Sequence, residues 1–498
     1  MAYMAGNPTS PRAYNPLVDL GIDFGHTSGI ASYTRWLDTF QGTAGANYTY
    51  GGITYRIVNS GGTATTDGKT ISISGADAVD VLFDAETSYR YSSAAAAQAE
   101  LKRKLDLAVA AGYSAVRSAA IADFSGLMGR VELDLGSSGS AGKQPIPTRL
   151  SNFKKSPDSD PQLMTLMFNY GRHLLASSSR DTGPLSLPAN LQGIWNQDYN
   201  PAWQSKYTIN INLEMNYWPA LVTNLAETHK PVFDLISVAI PRGQAVAITM
   251  YGCNQGFVLH HNTDLWGDAA PVDKGTPYTI WPMGAAWLSA DAMEHYRFSQ
   301  NKTFLAQVAW PILRETALFY QCYLFKWNTH WTTGPSLSPE HAFRVPQNMR
   351  TAGASEGLDI SPEMDNQLLH QLFTNVAETC TTLDLSPSAN PICTAATETY
   401  LPHLRPPAIN PSTSRLQEWR SPDQTDTEPG HRHFSPLWGL YPGSQLTTNT
   451  TLTAAAAALL DHRMASGSGS TGWSRAWAVA LYARLPGGPT TRGGTRSS

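Results

Sequence analysis

One change in the spacing of apolar residues limits what this 498-residue chain can fold into. From Leu17 to about Leu135, apolar and polar residues alternate with a period of two, as in Lys69–Ser74 and Val131–Leu135, which is typical of half-buried strands. From Asp160 onward the apolar residues recur at helical spacing. The sequence therefore predicts a β-rich N-terminal region followed by a helical region.

Shorter signals add detail to the first region. The segment Tyr48–Ile57, with Gly51 and Gly52 at its centre, predicts a β-hairpin. Val18–Phe24 predicts a further strand, and Ala94–Ala111 predicts a helix. We interpret this region as β-sandwich-like.

The second region begins with a helix start signal, because Asp160 and Pro161 are suited to the N-cap and first position of a helix that continues past Leu174. Further helices are predicted over Leu213–Ile236, Ala285–Phe298, Thr303–Phe325, Pro362–Leu383, Leu452–Met464 and Trp473–Leu485. Many helices joined by long, aromatic-rich loops indicate an all-α toroid or bundle with its chemistry in the loops.

These signals divide the chain into four parts. We predict a partial β-sandwich-like domain over 1–136, a polar linker over 137–160, a helical domain over 161–485 and a disordered tail over 486–498.

Composition excludes some partners. Lys and Arg total 35 against 39 Asp and Glu, so a net charge of -4 offers no basic surface to nucleic acid or to an anionic membrane. No stretch approaches the roughly 18 consecutive apolar residues of a membrane span. Neither partner is expected. The fourteen Trp suit either a large core or a surface that stacks on sugars.

The four cysteines lack the spacing of a zinc site. They fit buried thiols, or a loop disulfide between Cys380 and Cys393 in an oxidising compartment. The first residues have neither the basic nor the apolar segment of a secretory signal. The protein is therefore expected to be intracellular, or its N-terminus to be incomplete.

Two asparagines form the first candidate site. Asn210 and Asn212 share one face if the backbone is extended, and their amides could orient a water or sugar hydroxyls. The alternative is an Asn-rich helix start in which one Asn caps and the others satisfy loop backbone.

The segment His260–Asp268 contains adjacent histidines and two aspartates. Neighbouring side chains of a strand point in opposite directions, which suits one metal ion poorly, so no metal is expected. A hydrogen-bonding surface for polyols, with walls formed by Trp266 and Trp281, is the functional interpretation. Ordinary loop packing is its competitor.

Glu340 lies in a proline-stiffened, Trp-rich loop, where desolvation would raise the carboxyl pKa into the general-acid range that glycosidases require. The alternative is a glutamate at a helix N-terminus. Downstream, Arg432 lies between His431 and His433. Without a Gly-rich phosphate loop, contact with a sugar or carboxylate is the better interpretation.

Seven motifs resemble, in order, the inverting α-L-fucosidase family of glycoside hydrolases, family 95; they are LPANLQGIWN, NINLEMNYWPA, HHNTDLWGD, WPMGAAW, PSLSPEH, HRHFSPLWGLYPG and TGWSRAWAVALYARL. The resemblance runs from about Tyr14 to Leu485. It implies an N-terminal β-sandwich, a helical linker and an (α/α)6-barrel catalytic domain, here C-terminally incomplete.

The resemblance also implies roles. Glu340 matches the family's general acid, and Asn210 and Asn212 match the pair that holds the attacking water. Arg432 and His433 match substrate contacts. Further candidate subsite residues are His261, Trp266 and Trp281. No cofactor is implied, because acid/base hydrolysis needs none.

The sequence departs from the family in one respect, since the Asp-Gly-Asn segment that carries the base-polarising Asp is absent from these 498 residues. We expect a member truncated at both ends, with little or no activity as written, whose relatives are secreted.

The leading prediction is a hydrolase that releases terminal α-linked L-fucose from glycans, of the 1,2-α-L-fucosidase type. The alternatives are a non-catalytic carbohydrate-binding remnant, an α-L-galactosidase, or another (α/α)6 glycosidase or phosphorylase. A fucosylated oligosaccharide is the expected partner.

Overall fold

The computed structural model describes residues 30–41, 43–50, 53–55, 63–66, 71–74, 82, 84–349 and 351–486. The strand predicted at Val18–Phe24 and the tail beyond Pro486 lie outside the described residues. Helices dominate the described chain. They are α1 Ala94–Met128, α2 Ile146–Phe153, α3 Pro161–Ser178, α4 Asn212–Val222, α5 Lys230–Tyr251, α6 Gly284–Ser299, α7 Lys302–Phe304, α8 Trp310–Tyr323, α9 Glu363–Thr382, α10 Pro391–Thr394, α11 Thr450–Ala465 and α12 Gly472–Ala483.

Five strands precede the helices: β1 Ile30–Asp38, β2 Thr43–Tyr50, β3 Ile53–Tyr55, β4 Thr63–Thr66 and β5 Ile71–Ser74. They form an antiparallel sheet in the order β1-β2-β3 and a separate β4-β5 pair. Tyr50 pairs with Ile53, which confirms the predicted hairpin. The β-sandwich itself stays a prediction.

Short strands interrupt the helical region. They are β6 Tyr207–Thr208, β7 Asn262–Thr263, β8 Phe325–Trp327, β9 His330–Thr332, β10 Ser336–Leu337, β11 Phe343–Arg344, β12 Ser355–Glu356, β13 Leu358–Asp359 and β14 Thr425–Asp426. These short pairings fix the loops that carry the candidate site.

One expectation was wrong. Val131–Leu135 forms no strand, because the Val131 carbonyl accepts a hydrogen bond from the Arg172 guanidinium at 3.4 Å and the Asp134 carboxylate accepts one from Gly136 N at 2.8 Å. The stretch 137–160, predicted as a linker, contains the short helix α2.

The described residues form two compact units. One comprises the described part of 30–185 together with 222–228, and the other comprises 186–221 and 229–486. The limits 1–136, 137–160 and 161–485 stay predictions.

The start of α3 matches its sequence signal. Asp160 is the N-cap, its Oδ1 accepts a hydrogen bond from Leu163 N at 3.2 Å, and Pro161 begins the helix. Arg149 donates two hydrogen bonds to the same carboxylate at 2.9 and 2.8 Å, and Ser138 Oγ donates a third at 2.6 Å. The Arg149 guanidinium and the Ser138 hydroxyl hold the pKa of Asp160 well below its ordinary value.

The core of the second unit is built on helices α6, α8 and α9, which pack against one another. Trp287 lies at its centre, with ring centroids 6.4 Å from Trp281, 6.2 Å from Trp438 and 6.3 Å from Trp477. All four rings are fully buried. For these tryptophans the core interpretation is confirmed.

All four cysteines are oxidised. The predicted bond between Cys380 and Cys393 is confirmed and joins α9 to α10. A second bond, between Cys253 and Cys322, ties the residues after α5 to α8. It was not predicted, because its partners are 69 residues apart.

By length and composition two helices could cross a membrane, α1 and Ala226–Tyr251, with mean hydropathy of 1.2 and 1.3 over their most apolar windows. Helix α1 also carries ion pairs such as Lys102–Asp106. The second helix contributes Phe233 and Ile236 to the core. The expectation that no membrane is a partner stays a prediction.

Replacing the helix cap tests the first unit. We expect Asp160→Asn to lower the melting temperature near neutral pH, because it removes the carboxylate that Arg149 and Ser138 stabilise. A depressed pKa gives stability that is present above the unfolded-state pKa of about 4 and is lost as pH falls through the folded pKa. The difference in melting temperature should therefore stay constant from pH 7 to about pH 4 and shrink at lower pH. Thermal unfolding from pH 7 to about pH 2 measures this, with the exposed Asp158→Asn as control. A difference that stays constant down to about pH 2 would contradict it.

Candidate active site

Glu340 lies in a loop whose geometry is fixed on both sides. Strand β10 precedes it and pairs with β13, with Ser336 opposite Asp359. His341 N closes a turn on Ser338 O at 2.8 Å. Ser435 Oγ donates to the Pro339 carbonyl. The loop that carries Glu340 is therefore fixed by these contacts, and Glu340 lies in a turn and not at a helix N-terminus, the alternative considered from sequence.

Three separate segments meet at the Glu340 carboxylate. Asn210 Nδ2 donates a hydrogen bond to Oε1 at 3.0 Å. Arg432 donates to Oε2, and His433 Nε2 lies 3.6 Å from the same oxygen. The structure thus brings together four residues that were singled out from the sequence.

The pKa of Glu340 differs from the expectation. Burial alone would raise the carboxyl pKa, but the His433 ring, the Asn210 amide and the Arg432 guanidinium all favour the carboxylate. They hold its pKa well below the ordinary value. The expected desolvation is present, and the neighbouring donors outweigh it. Glu340 is therefore ionised in this site.

The two asparagines do not lie on an extended strand. Asn210 is in the turn between β6 and α4, and Asn212 is the first residue of α4. The condition for sharing one face, an extended backbone, is therefore not met, and the segment forms the helix start that was the alternative interpretation. Asn210 is nevertheless buried, and its Oδ1 has no hydrogen-bond partner among the described residues. It could accept a hydrogen bond from water or a sugar hydroxyl.

The His260–Asp268 segment reaches the site through β7. Thr208 of β6 pairs with Asn262, and Ile209 N donates to His261 O at 2.8 Å. His261 is buried, its Nε2 contacts the Asn262 amide, and its ring lies 5.7 Å from that of Tyr278. Burial lowers the pKa of His261 to about 3, although the Glu340 charge acts in the opposite direction.

The neighbouring residues are used in packing. His260 Nδ1 donates to Ala269 O and Nε2 accepts from Tyr251 Oη, both at 2.7 Å. Asp264 Oδ1 accepts from Trp266 N at 2.9 Å. These contacts account for the segment without a metal ion.

Of the two tryptophans predicted to form aromatic walls, one is exposed and the other is buried. Trp266 is 41% exposed, but Trp281 is 0% exposed and belongs to the core around Trp287. The assignment of Trp281 to a sugar-contacting wall was wrong. Trp281 directly precedes the turn into the apolar helix α6, which is the signal for a core residue.

Sequence reasoning missed a cation and a phenol near Glu340. Lys206 is 5% exposed, and its Nζ donates to Trp203 O at 3.0 Å and Gln204 Oε1 at 2.7 Å. Burial lowers the pKa of Lys206, while the charges of Asp273 and Glu340 act in the opposite direction. The phenol is Tyr278, whose Oη donates to Asp273 Oδ2 at 3.1 Å. A lysine directly before β6, which leads to Asn210, was the available signal.

A buried guanidinium, which sequence reasoning also missed, bonds to the segments that carry the site residues. Arg463 of α11 donates to the Glu418 carboxylate, to His433 O at 2.8 Å and to His341 Nδ1 at 3.1 Å. Ser338 Oγ donates to Glu418 at 2.7 Å. An arginine in an Ala- and Leu-rich helix was the sequence signal.

The carbonyls of 431–433 are each held by a side chain that follows in sequence. Besides the bond from Arg463, Ser468 Oγ donates to His431 O at 2.5 Å and Ser474 Oγ donates to Arg432 O at 2.6 Å. The backbone that presents Arg432 and His433 is thereby fixed.

Within the described residues, His341, Glu418 and Asp426 have ligand atoms close enough to hold a metal ion, within 4.8 Å of one another. Arg463 already bonds to two of the three side chains. Because its guanidinium supplies the positive charge, the group is better explained as part of the buried ion pair.

Residues 112–493 match the model of the glycosyl hydrolase family 95 catalytic domain. This chain belongs to glycosyl hydrolase family 95. The match contains every residue placed around Glu340 above.

Relatives of this family 95 chain include alpha-L-fucosidase 2 from Arabidopsis thaliana, 33% identical over 86% of this chain and 50% of that protein. Probable alpha-fucosidase A from Aspergillus niger is 32% identical over 75% of this chain and 46% of its own length. The chain therefore spans about half the length of these relatives. A solved structure, a putative kojibiose phosphorylase from human microbiome, has a TM-score of 0.43 and 10% identity over 66% of this chain and 39% of its own. That likeness is too low to support an argument.

Removing one charge tests the electrostatics of the family 95 site. Arg432→Met should raise the pKa of Glu340 toward its ordinary value, because burial then acts against fewer groups that favour the carboxylate. Titration of ¹³C-labelled glutamate carboxyls by NMR, assigned with Glu340→Gln, measures the change. Arg420→Met, which removes a guanidinium that bonds to Asp359, is the control. An unchanged Glu340 pKa in Arg432→Met would contradict the contact.

The buried pair can be tested by stability. Arg463→Met leaves the Glu418 carboxylate buried without its cation, and breaking such a pair from one side typically costs about 3–5 kcal/mol of unfolding free energy. The double variant Glu418→Gln/Arg463→Met removes both charges and should lose less than the sum of the single variants. Urea denaturation measures all four proteins. Strictly additive losses would show that the two side chains are not coupled.

Proposed function

We propose that this protein is a glycoside hydrolase that releases terminal α-linked L-fucose from glycans by an inverting acid/base mechanism. The proposal rests on the meeting of Glu340 with Asn210, Arg432 and His433 in one site. Membership of family 95 and relatives named as fucosidases support it. A preference for 1,2-linkages and an (α/α)6 form of the helical domain belong to the same proposal.

Each side chain has a role in this scheme. Glu340 is the general acid that protonates the leaving oxygen. Asn210, through its unpartnered Oδ1, holds the attacking water together with Asn212 on the opposite face of the sugar. Arg432 and His433 contact the sugar hydroxyls. His261 and Trp266 are placed at the edge of the subsite.

The charge of Glu340 sets a condition on the mechanism. A general acid must carry its proton when it meets the leaving group. The Arg432 side chain is 41% exposed and can turn from the carboxylate toward a bound sugar. The pKa of Glu340 would then rise, because burial opposes ionisation and only the His433 ring and the Asn210 amide still favour the carboxylate. Substrate binding would in this way favour the protonated acid.

The inverting mechanism also requires a general base that activates the attacking water. The 498 residues contain no Asp-Gly-Asn segment. The amides of Asn210 and Asn212 are poor proton acceptors at neutral pH. General-base assistance is worth on the order of 10²–10⁴ in rate, so we expect slow hydrolysis by these residues alone.

A carbohydrate-binding protein without turnover is the second candidate. The ionised Glu340, paired with Arg432, favours it, because a carboxylate accepts hydrogen bonds from sugar hydroxyls but donates no proton.

The proposed location is extracellular. Two disulfides, Cys253–Cys322 and Cys380–Cys393, support it, because such bonds persist in oxidising compartments and are rare in the cytosol.

The test is fucose release from a 2'-fucosylated oligosaccharide, followed by NMR. We expect β-L-fucose to appear first, and Glu340→Gln to lower kcat by a factor on the order of 10²–10⁴ because the proton donor is lost. The exposed Glu398→Gln is the control.

The possible outcomes separate the candidates. Release of α-L-fucose first would contradict inversion. Full activity in Glu340→Gln would contradict its role as acid. Binding of the oligosaccharide without release would favour the second candidate.

A further inference from the structure

One loop of the second unit exposes most of its large apolar side chains. In the segment 191–206, here called the aromatic loop, Trp195 is 48%, Tyr199 80% and Trp203 72% exposed, and Ile194 is exposed as well. Compact surface loops normally pack on their own side chains. A concentration of exposed rings of this kind marks a surface that binds something.

The aromatic loop is nevertheless anchored at its base. Leu191 N donates to Lys206 O at 3.3 Å, and Ser205 Oγ donates to Asn190 Oδ1 at 3.0 Å. The buried Lys206 ammonium donates back to Trp203 O at 3.0 Å. The two ends are thus held together, and the rings lie on the part between them.

The backbone beside Trp203 is unusual. Trp203, Gln204 and Ser205 have φ values of 49°, 57° and 49°, so three consecutive non-glycine residues occupy the left-handed region. Each such residue is disfavoured and persists where the surroundings hold it, a situation that clusters at ligand-binding sites. The Trp203 ring on this backbone is 72% exposed.

The base of the aromatic loop lies at the candidate site. The charge of Lys206 interacts with Glu340, and Tyr207–Thr208 directly after it forms β6, which leads to Asn210. The segment that carries the exposed rings therefore runs directly into the candidate site, and a ligand longer than one sugar could contact both.

We infer that the aromatic loop binds the saccharide to which the terminal sugar is attached, with Trp195, Tyr199 and Trp203 stacking on its C–H faces. Sugars suit these rings, because each presents an apolar face and polar edges. The inference rests on the proposed function and deepens it, because it names the residues that contact the part of the glycan beyond the terminal sugar.

The experiment is calorimetric titration of a Glu340→Gln background, which does not consume substrate, with L-fucose and with 2'-fucosyllactose. Trp203→Ala and Trp195→Ala are each expected to weaken trisaccharide binding roughly three- to ten-fold, a factor typical of one stacking contact, and to leave fucose binding unchanged. Trp203→Phe keeps a ring and should retain most of the affinity.

A matched control is Phe298→Ala. This ring is also exposed, but it lies in the last turn of α6, about 21 Å along the helix from Gly284, whose N donates to Leu259 O beside the site. Its loss should change neither affinity. Circular dichroism verifies that all variants are folded.

The outcomes distinguish the inference from the proposed function. If both ligands bind and the loop variants weaken them equally or not at all, the aromatic loop is not a saccharide platform and the inference is overturned. If neither ligand binds the background protein, the proposed function fails, and the inference fails with it. Selective loss of trisaccharide affinity supports both.

Discussion

The buried ion pair of Arg463 with Glu418 ties together two of the three segments that meet at the candidate site. Arg463 bonds to the Glu418 carboxylate and to the His433 carbonyl, and Glu418 accepts a hydrogen bond from Ser338, two residues before Glu340. A charge removed from water is tolerable only while it keeps its partner. Neither segment can move away without leaving such a charge unpaired, so the geometry around Glu340 is set from the interior.

The two basic side chains beside Glu340 differ in how far they are exposed. Burial lowers the pKa of His433, and the charges of Arg432 and Arg463 act in the same direction, while the Glu340 carboxylate acts in the opposite direction. The permanent charge beside the carboxylate is that of the half-exposed Arg432. In the proposed scheme a ligand that draws the Arg432 guanidinium away removes one of the three groups that favour the carboxylate, so the pKa of Glu340 rises while the His433 ring and the Asn210 amide still oppose protonation.

Local signals predicted the local structure well. The Asp160 cap, the hairpin between Tyr50 and Ile53 and helices such as α9 are encoded within a few residues of themselves. What sequence reasoning missed depends on partners far away: Val131–Leu135 alternates like a strand, but Arg172, 41 residues later, bonds to its first carbonyl. The Cys253–Cys322 bond was missed for the same reason. The sequence predicted which residues form the candidate site. It could not predict the ionisation of Glu340, because that depends on contacts with Asn210 and Arg432, which are 130 and 92 residues away.

The tryptophans show why a count could not replace those contacts. From the number of tryptophans alone, Trp281 and Trp203 fit a core position and a sugar-contacting position equally well. Trp281 precedes the turn into an apolar helix and is buried by the packing of α6 on its neighbours, whereas Trp203 lies among Pro, Asn, Gln and Ser residues that form no core and is exposed on a left-handed backbone. Exposing a large ring to water is unfavourable unless something covers it, and burying it needs a neighbour of matching shape. The segment around a tryptophan decides which of these conditions can be met.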